Sequence, residues 1–123
     1  MWREILFVGL GGFIGSVLRY LAGKGTAALH LTSFPAATLT VNLLGCLLIG
    51  IFWGLFDKTR LSGASESAFL IAGFCGGFTT FSSFADEIWR MTDRGAWLTA
   101  ILYLSVSIIF GILLVATGRY LVK

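Results

Sequence analysis

Four long apolar runs, separated by three short polar segments, organise this chain. The runs lie at about residues 5–22, 36–56, 67–85 and 97–119. Each is close to the ~20 residues that an α-helix needs to cross the hydrocarbon core of a bilayer. The pattern therefore predicts an all-α membrane protein with a single domain, residues 1–123, built from four transmembrane helices. The predicted connections are "GKGTAALHLTSFP", "DKTRLSGASE" and "DEIWRMTDRG".

The composition of the chain argues against a soluble domain. Hydrophobic residues make up 57% of it and charged residues 12%, whereas a soluble domain carries about twice that charged fraction. The net charge of +3 suits contact with anionic membrane lipid, and no basic patch indicates nucleic acid. Cys46 and Cys75 lie inside apolar runs, so we interpret them as buried small apolar residues; a disulfide or metal site is the less favoured alternative.

One segment interrupts the apolar pattern inside the third run. "GGFTTFSSF", residues 76–84, places hydroxyl side chains between phenylalanines directly after two glycines. A continuous lipid-facing helix would expose these hydroxyls on nearly every side, and non-helical backbone at membrane depth needs protein or a polar cavity around it. We therefore expect the third helix to be broken in mid-membrane. A break frees carbonyl oxygens, which are ligands for a hard cation such as Na⁺.

Polar groups in other runs supply candidate donors for an anion. Thr38 and Asn42 are four residues apart and hence share a helical face, and the Asn42 amide offers two N–H donors. Tyr103, Ser107 and Gly111 repeat at the same spacing in the fourth run. Alternatives remain open, because a membrane Asn often only holds helices together and membrane Ser often bonds to its own backbone.

The aromatic residues of the third run also suit an anion. Phe81 and Phe84 are three residues apart, and the edge of a phenyl ring is the positive end of its quadrupole. Packing alone is the alternative for these rings, but it leaves the hydroxyls between them, Ser82 included, unexplained. Donors and ring edges without a permanent positive charge predict a path for a small anion. An enzyme is not expected, since the central thirds of the runs contain no Asp, Glu, Lys or His, and hydroxyls without a base are not activated nucleophiles.

Over essentially its whole length, the sequence resembles the Fluc (CrcB) family of fluoride channels. The resemblance rests on "GGFIGSVLRY", "FPAATLTVNLLG", "GFCGGFTTFSSF" and the four-span length. It implies a multi-pass protein of the bacterial cytoplasmic (inner) membrane that lets fluoride leave the cytoplasm passively and so protects against fluoride toxicity. It also implies an antiparallel, dual-topology homodimer with two pores and a central structural Na⁺ at the dimer interface.

The resemblance also implies roles for individual residues. Asn42 would be the pore asparagine, Phe81 and Phe84 would line each pore, and the backbone carbonyls of Gly76 and Thr79 from both subunits would hold the Na⁺.

Further positions follow on the other helices. Tyr103 and Ser107 would begin a polar track on the fourth helix, which Gly111 leaves without a further hydroxyl. Thr38 and Ser82 complete the candidate anion path. Arg19 matches an arginine at the end of the first helix, where it either snorkels to the interface or attracts anions into a vestibule.

The distribution of basic residues supports two opposite orientations of the chain in the membrane. Orientation follows the Lys/Arg excess in short flanking segments, and here the two sides differ by five minus four, or one. One side carries Arg3, Lys58, Arg60, Arg119 and Lys123, and the other carries Arg19, Lys24, Arg90 and Arg94.

Two other functions compete with a channel. A small four-helix multidrug or cation exporter needs a membrane-embedded carboxylate, but Glu4 is terminal, and Asp86 and Glu87 fall near the predicted end of the third span. A structural membrane subunit would not need polar residues around a helix break.

Overall fold

The computed structural model describes residues 1–29, 34–59 and 63–123. These residues contain four helical spans long and apolar enough to cross a membrane. The prediction of an all-α chain with four membrane-length helices is therefore confirmed. The predicted loop residue His30, and Arg60 of the charge comparison, lie outside the described residues.

Three of the spans are continuous helices, and the third is divided. The continuous ones are α1 (Trp2–Ala28), α2 (Ala36–Thr59) and α5 (Trp97–Leu121). The third consists of α3, which runs over residues 64–78 as α-helix Ala64–Ser67, π-helix Ala68–Cys75 and α-helix Gly76–Phe78, and of α4 (Phe81–Asp93).

The break in the third span lies at Thr79 and Thr80, where both residues adopt extended backbone angles. Thr79 has φ −91° and ψ 161°, and Thr80 has φ −151° and ψ 120°. A broken third helix was predicted from the hydroxyl-rich segment, and this prediction is confirmed.

The third connection is shorter than the sequence pattern predicts. We expected "DEIWRMTDRG" to link the spans, but α4 continues to Asp93. An i,i+4 ion pair between Asp86 and Arg90, with a nitrogen–oxygen distance of 2.5 Å, occupies its exposed face, while Met91 is only 2% exposed. The charged residues therefore belong to an amphipathic helix. Gly95, with φ 78°, ends it in a turn closed by hydrogen bonds to the carbonyls of the last helical turn.

Glycines allow the helices to approach backbone to backbone. A Cβ atom added at Gly11 of α1 would lie 2.2 Å from the carbonyl oxygen of Phe69 in α3, and one at Gly50 of α2 would lie 2.2 Å from the carbonyl oxygen of Val115 in α5. Residues without a side chain let helix backbones approach this closely. Gly77 of α3 also packs on α1.

A small aromatic core joins α4 to α5. Phe84, Met91, Ala100 and Tyr103 are buried against one another. The Phe84 ring meets the Tyr103 ring edge to face, with centroids 5.0 Å apart and planes at 85°. This cluster fixes the resumed helix after the break, so the residues of α4 have defined positions relative to α2 and α5.

Candidate anion pathway

The Asn42 side chain of α2 holds the backbone at the break. Its Oδ1 accepts a hydrogen bond from the Thr80 N–H at 2.8 Å, and its Nδ2 donates to the Thr80 carbonyl oxygen at 3.0 Å. Thr80 Oγ1 in turn accepts from the Ser83 N–H at 3.2 Å and so caps α4. The amide therefore supplies both partners that the Thr80 backbone would otherwise find in a continuous helix.

These bonds free the two carbonyls for which the resemblance implies a cation. In an unbroken helix the Gly76 carbonyl would accept from the N–H of Thr80, and the Thr79 carbonyl from that of Ser83. Both N–H groups bond instead to side chains, those of Asn42 and Thr80. Gly76 and Thr79 both line one cavity, and their carbonyl oxygens are ligands that suit a hard cation. The backbone therefore fits an Na⁺ site.

This open-sided cavity has a volume of about 770 Å³ and lies between α2, the broken third span and α5. It brings together four of the predicted anion-path residues: Asn42, Phe81, Phe84 and Ser107. The Oγ atom of Ser107 is buried and has no hydrogen-bond partner among the described residues. Most of the remaining lining is apolar. An unpartnered donor in apolar surroundings is costly, so the site is suited to a group that can accept a hydrogen bond.

The two phenylalanines of the predicted pair have different surroundings. Their ring centroids are 6.0 Å apart with planes at 54°. Phe84 is 8% exposed and belongs to the aromatic core, whereas Phe81 is 79% exposed. Phe84 therefore has a packing role whatever else it does, and Phe81 is free to meet lipid or a second protein chain.

Four of the predicted residues lie outside the cavity lining in the described part of the chain: Thr38, Ser82, Tyr103 and Arg19. Ser82 is exposed, with its Oγ 3.4 Å from Thr80 Oγ1. Tyr103 lies behind Phe84 and lines a separate cavity of about 220 Å³.

Glu87 is a polar residue whose contacts with other helices were not predicted from the sequence. Thr38 Oγ1 donates to its Oε1 at 2.5 Å, and the Tyr103 hydroxyl donates to its Oε2 at 2.7 Å. The carboxyl group is partly buried between α2, α4 and α5, because α4 extends beyond the predicted end of the span. A usable signal was present, since Glu87 follows Phe84 by three residues and shares its helical face.

A sulfur atom occupies the space beside Gly111, where the polar track lacks a hydroxyl. A Cβ atom added at Gly111 would lie 3.3 Å from Cys46 Sγ, so a larger side chain would be crowded. Cys46 and Cys75 both line the large cavity and are free thiols in the structure. Cys75 is buried, as interpreted, whereas Cys46 is only partly buried.

Arg19 of α1 contacts the segment that leads into the break. Its side chain is half-buried, and its Nε–H donates to the Gly77 carbonyl oxygen at 2.9 Å, a contact across 58 residues of sequence. The helix α1 therefore contributes one polar contact to the broken segment.

Comparison with known proteins agrees with the resemblance that the sequence motifs indicate. The family model described as CrcB-like protein, Camphor Resistance (CrcB), matches residues 6–119. Fluoride-specific ion channel FluC of Flavobacterium psychrophilum is 40% identical over 98% of this chain and 98% of its own length. The protein of the same name from Chlorobium chlorochromatii is 49% identical over 94% and 88%, and that from Pseudomonas fluorescens is 42% identical over 100% and 99%. With matches of this extent, the chain belongs to the CrcB family.

Proposed function

We propose that this protein is a passive, fluoride-selective channel of the bacterial cytoplasmic membrane that protects the cell against fluoride. The observation that carries the proposal is Ser107, a residue that lines the same cavity as Asn42, Phe81 and Phe84 and whose buried hydroxyl has no partner among the described residues. The FluC names of the relatives support fluoride as the anion.

The groups that line this path can bind a small anion and still release it. A hydroxyl, an amide and ring edges replace part of the hydration of a small anion. No Lys or Arg side chain belongs to the described lining of the cavity, so nothing there would trap the anion. Hydrogen fluoride enters cells as a neutral acid and ionises inside. A negative membrane potential then drives the anion outward by about 2.3 kcal/mol per charge per 100 mV.

The working unit that we propose is an antiparallel homodimer. Its support is the near balance of Lys and Arg between the two sides and the open-sided cavity next to the exposed Phe81, which a second copy would cover. The carbonyl oxygens of Gly76 and Thr79 from both subunits would hold a structural Na⁺, which would neutralise freed backbone dipoles where the two breaks meet.

The position of Glu87 is the one observation that favours the rival function, a proton-coupled exporter. A proton-coupled exporter of cationic drugs requires an embedded carboxylate, and the Glu87 carboxyl group is partly buried between α2, α4 and α5. However, both of its oxygens already accept hydrogen bonds from Thr38 and Tyr103, an arrangement that suits a fixed structural carboxylate better than one that exchanges ligands.

One experiment tests the proposal against this rival. Purified protein is reconstituted into liposomes, and fluoride and chloride efflux are measured with ion-selective electrodes under a clamped potential. A parallel sample measures proton-driven uptake of a cationic dye. Fast fluoride efflux, little chloride efflux and no dye uptake are expected. Equal efflux of both anions, or dye uptake without fluoride efflux, would overturn the proposal.

A further inference from the structure

The carbonyl of Gly77 is a third backbone acceptor released by the break. In a continuous helix it would accept from the N–H of Phe81, but Phe81 is the first residue of α4, after its N-cap Thr80. First-turn N–H groups have no partner inside their own helix, and the Gly77 oxygen has lost its donor in the same way. It accepts instead from Arg19 Nε at 2.9 Å.

The backbone at Gly77 packs closely against α1. A Cβ atom added at Gly77 would lie 2.7 Å from the Gly12 carbonyl oxygen and 3.0 Å from Ser16 Oγ. Ser16 and Arg19 are three residues apart on α1 and so share a face. The segment before the break is thus pressed against α1 at Gly77, while Gly76, its neighbour in sequence, lines the cavity.

We propose that Arg19 is a positioning residue that caps the Gly77 carbonyl through its Nε–H and thereby fixes the backbone of the broken segment on α1. This role differs from snorkelling and from attraction of anions, because it depends on a donor at one point of the side chain rather than on the charge. It rests on the proposed function only where conduction is the readout; the capping itself is a statement about the backbone.

Three substitutions separate the donor from the charge. In Arg19→Gln the amide nitrogen occupies the position of the arginine Nε along the side chain, so the donor is kept and the charge is lost. In Arg19→Lys a methylene occupies that position, and the charge lies one atom beyond it. Arg19→Met has similar length and neither property.

The first readout is amide hydrogen exchange of the purified protein, followed by mass spectrometry of the peptide covering residues 78–84. A peptide from the middle of α5 serves as the internal control. Leaving a partly buried carbonyl without its hydrogen-bond donor shifts a local opening equilibrium by about tenfold. Exchange at the break should therefore rise about tenfold in Arg19→Met and Arg19→Lys and stay near the wild-type rate in Arg19→Gln, with the control peptide unchanged in all three.

The second readout is fluoride efflux from liposomes, and it should follow the same order. Arg19→Gln should keep most of the flux, whereas Arg19→Lys and Arg19→Met should lose most of it. Normal flux in Arg19→Lys together with loss in Arg19→Gln would overturn the proposal in favour of attraction by charge. Exchange and flux unchanged in every variant would overturn it in favour of an interfacial arginine without a role.

The two readouts distinguish a failure of the proposed function from a failure of the capping role. If wild-type protein conducts no fluoride, the proposed function fails while the exchange data still decide the capping role. If Arg19→Met does not fold, the comparison of Arg19→Gln with Arg19→Lys alone is decisive.

Discussion

Replacing Asn42 by aspartate tests whether the amide both holds the break and serves the anion. The change is nearly isosteric, yet it substitutes a carboxylate oxygen for the Nδ2–H group that donates to the Thr80 carbonyl at 3.0 Å. The bond from the Thr80 N–H to the remaining oxygen, now 2.8 Å long, can persist. One contact at the break therefore becomes repulsive while the other survives.

The magnitude follows from these two contacts. An acceptor left without its donor costs about 1–3 kcal/mol, and a negative oxygen facing a carbonyl oxygen adds roughly 1 kcal/mol. The total of about 2–4 kcal/mol is smaller than the 5–15 kcal/mol that typically stabilises a folded domain, so Asn42→Asp should fold with reduced thermal stability. Fluoride efflux should fall by at least about tenfold, because the path gains a negative charge and the break is disturbed.

Liposome efflux and thermal unfolding in detergent are measured on the same preparations. Thr40→Val is the control, since it is also nearly isosteric and Thr40 is an exposed residue of α2 outside the described lining of the cavity. It should retain both stability and flux. Wild-type stability and flux in Asn42→Asp would refute both roles; lost stability with full flux would leave only the structural one.

Three further comparisons probe the glycine packing, the aromatic pair and the Glu87 carboxyl group. Gly11→Ala should destabilise the fold by about 1–3 kcal/mol, because its Cβ would lie 2.2 Å from a carbonyl oxygen of the third span; Gly9→Ala, with no atom within 4 Å of the new Cβ, should be neutral, and equal thermal shifts would contradict the packing. Phe81→Ile should reduce fluoride efflux without loss of stability, whereas Phe84→Ile should reduce both, since only Phe84 is buried; unchanged flux in both variants would remove the rings from the path. Glu87→Gln should lower thermal stability, because an amide NH₂ cannot accept from one of the two hydroxyls that donate to the carboxyl group; unchanged unfolding would show that these bonds contribute nothing.

The four spans and the break could be predicted from the sequence because both depend on local pattern. Apolar runs of membrane length predict helices whatever packs around them, and a hydroxyl cluster after two glycines contradicts a continuous lipid-facing helix. The second half of the third span was missed for the same reason. Asp86 and Arg90 look like loop residues until their pairing places both on one exposed face of α4.

Contacts between distant elements could not be predicted in this way. The bonds of Asn42 to Thr80 and of Arg19 to Gly77 join residues separated by 38 and 58 positions. Their existence depends on how α1 and α2 pack on the broken span. The sequence of the eight-residue π-helical stretch Ala68–Cys75 gives no sign of its π-helical form. All eight residues are apolar or glycine, so no polar position marks a period.

The Ser107 hydroxyl gives the most direct test of the claim that the cavity carries fluoride. Ser107→Ala removes the buried, unpartnered Oγ and leaves the fold intact, and Ser105→Ala on the same helix removes a hydroxyl from outside the described lining of the cavity. Fluoride efflux from liposomes is compared for the two variants at matched protein density. The account predicts that Ser107→Ala slows fluoride efflux severalfold or more while Ser105→Ala matches the wild type. Wild-type efflux from Ser107→Ala, or equal losses in both, would contradict it.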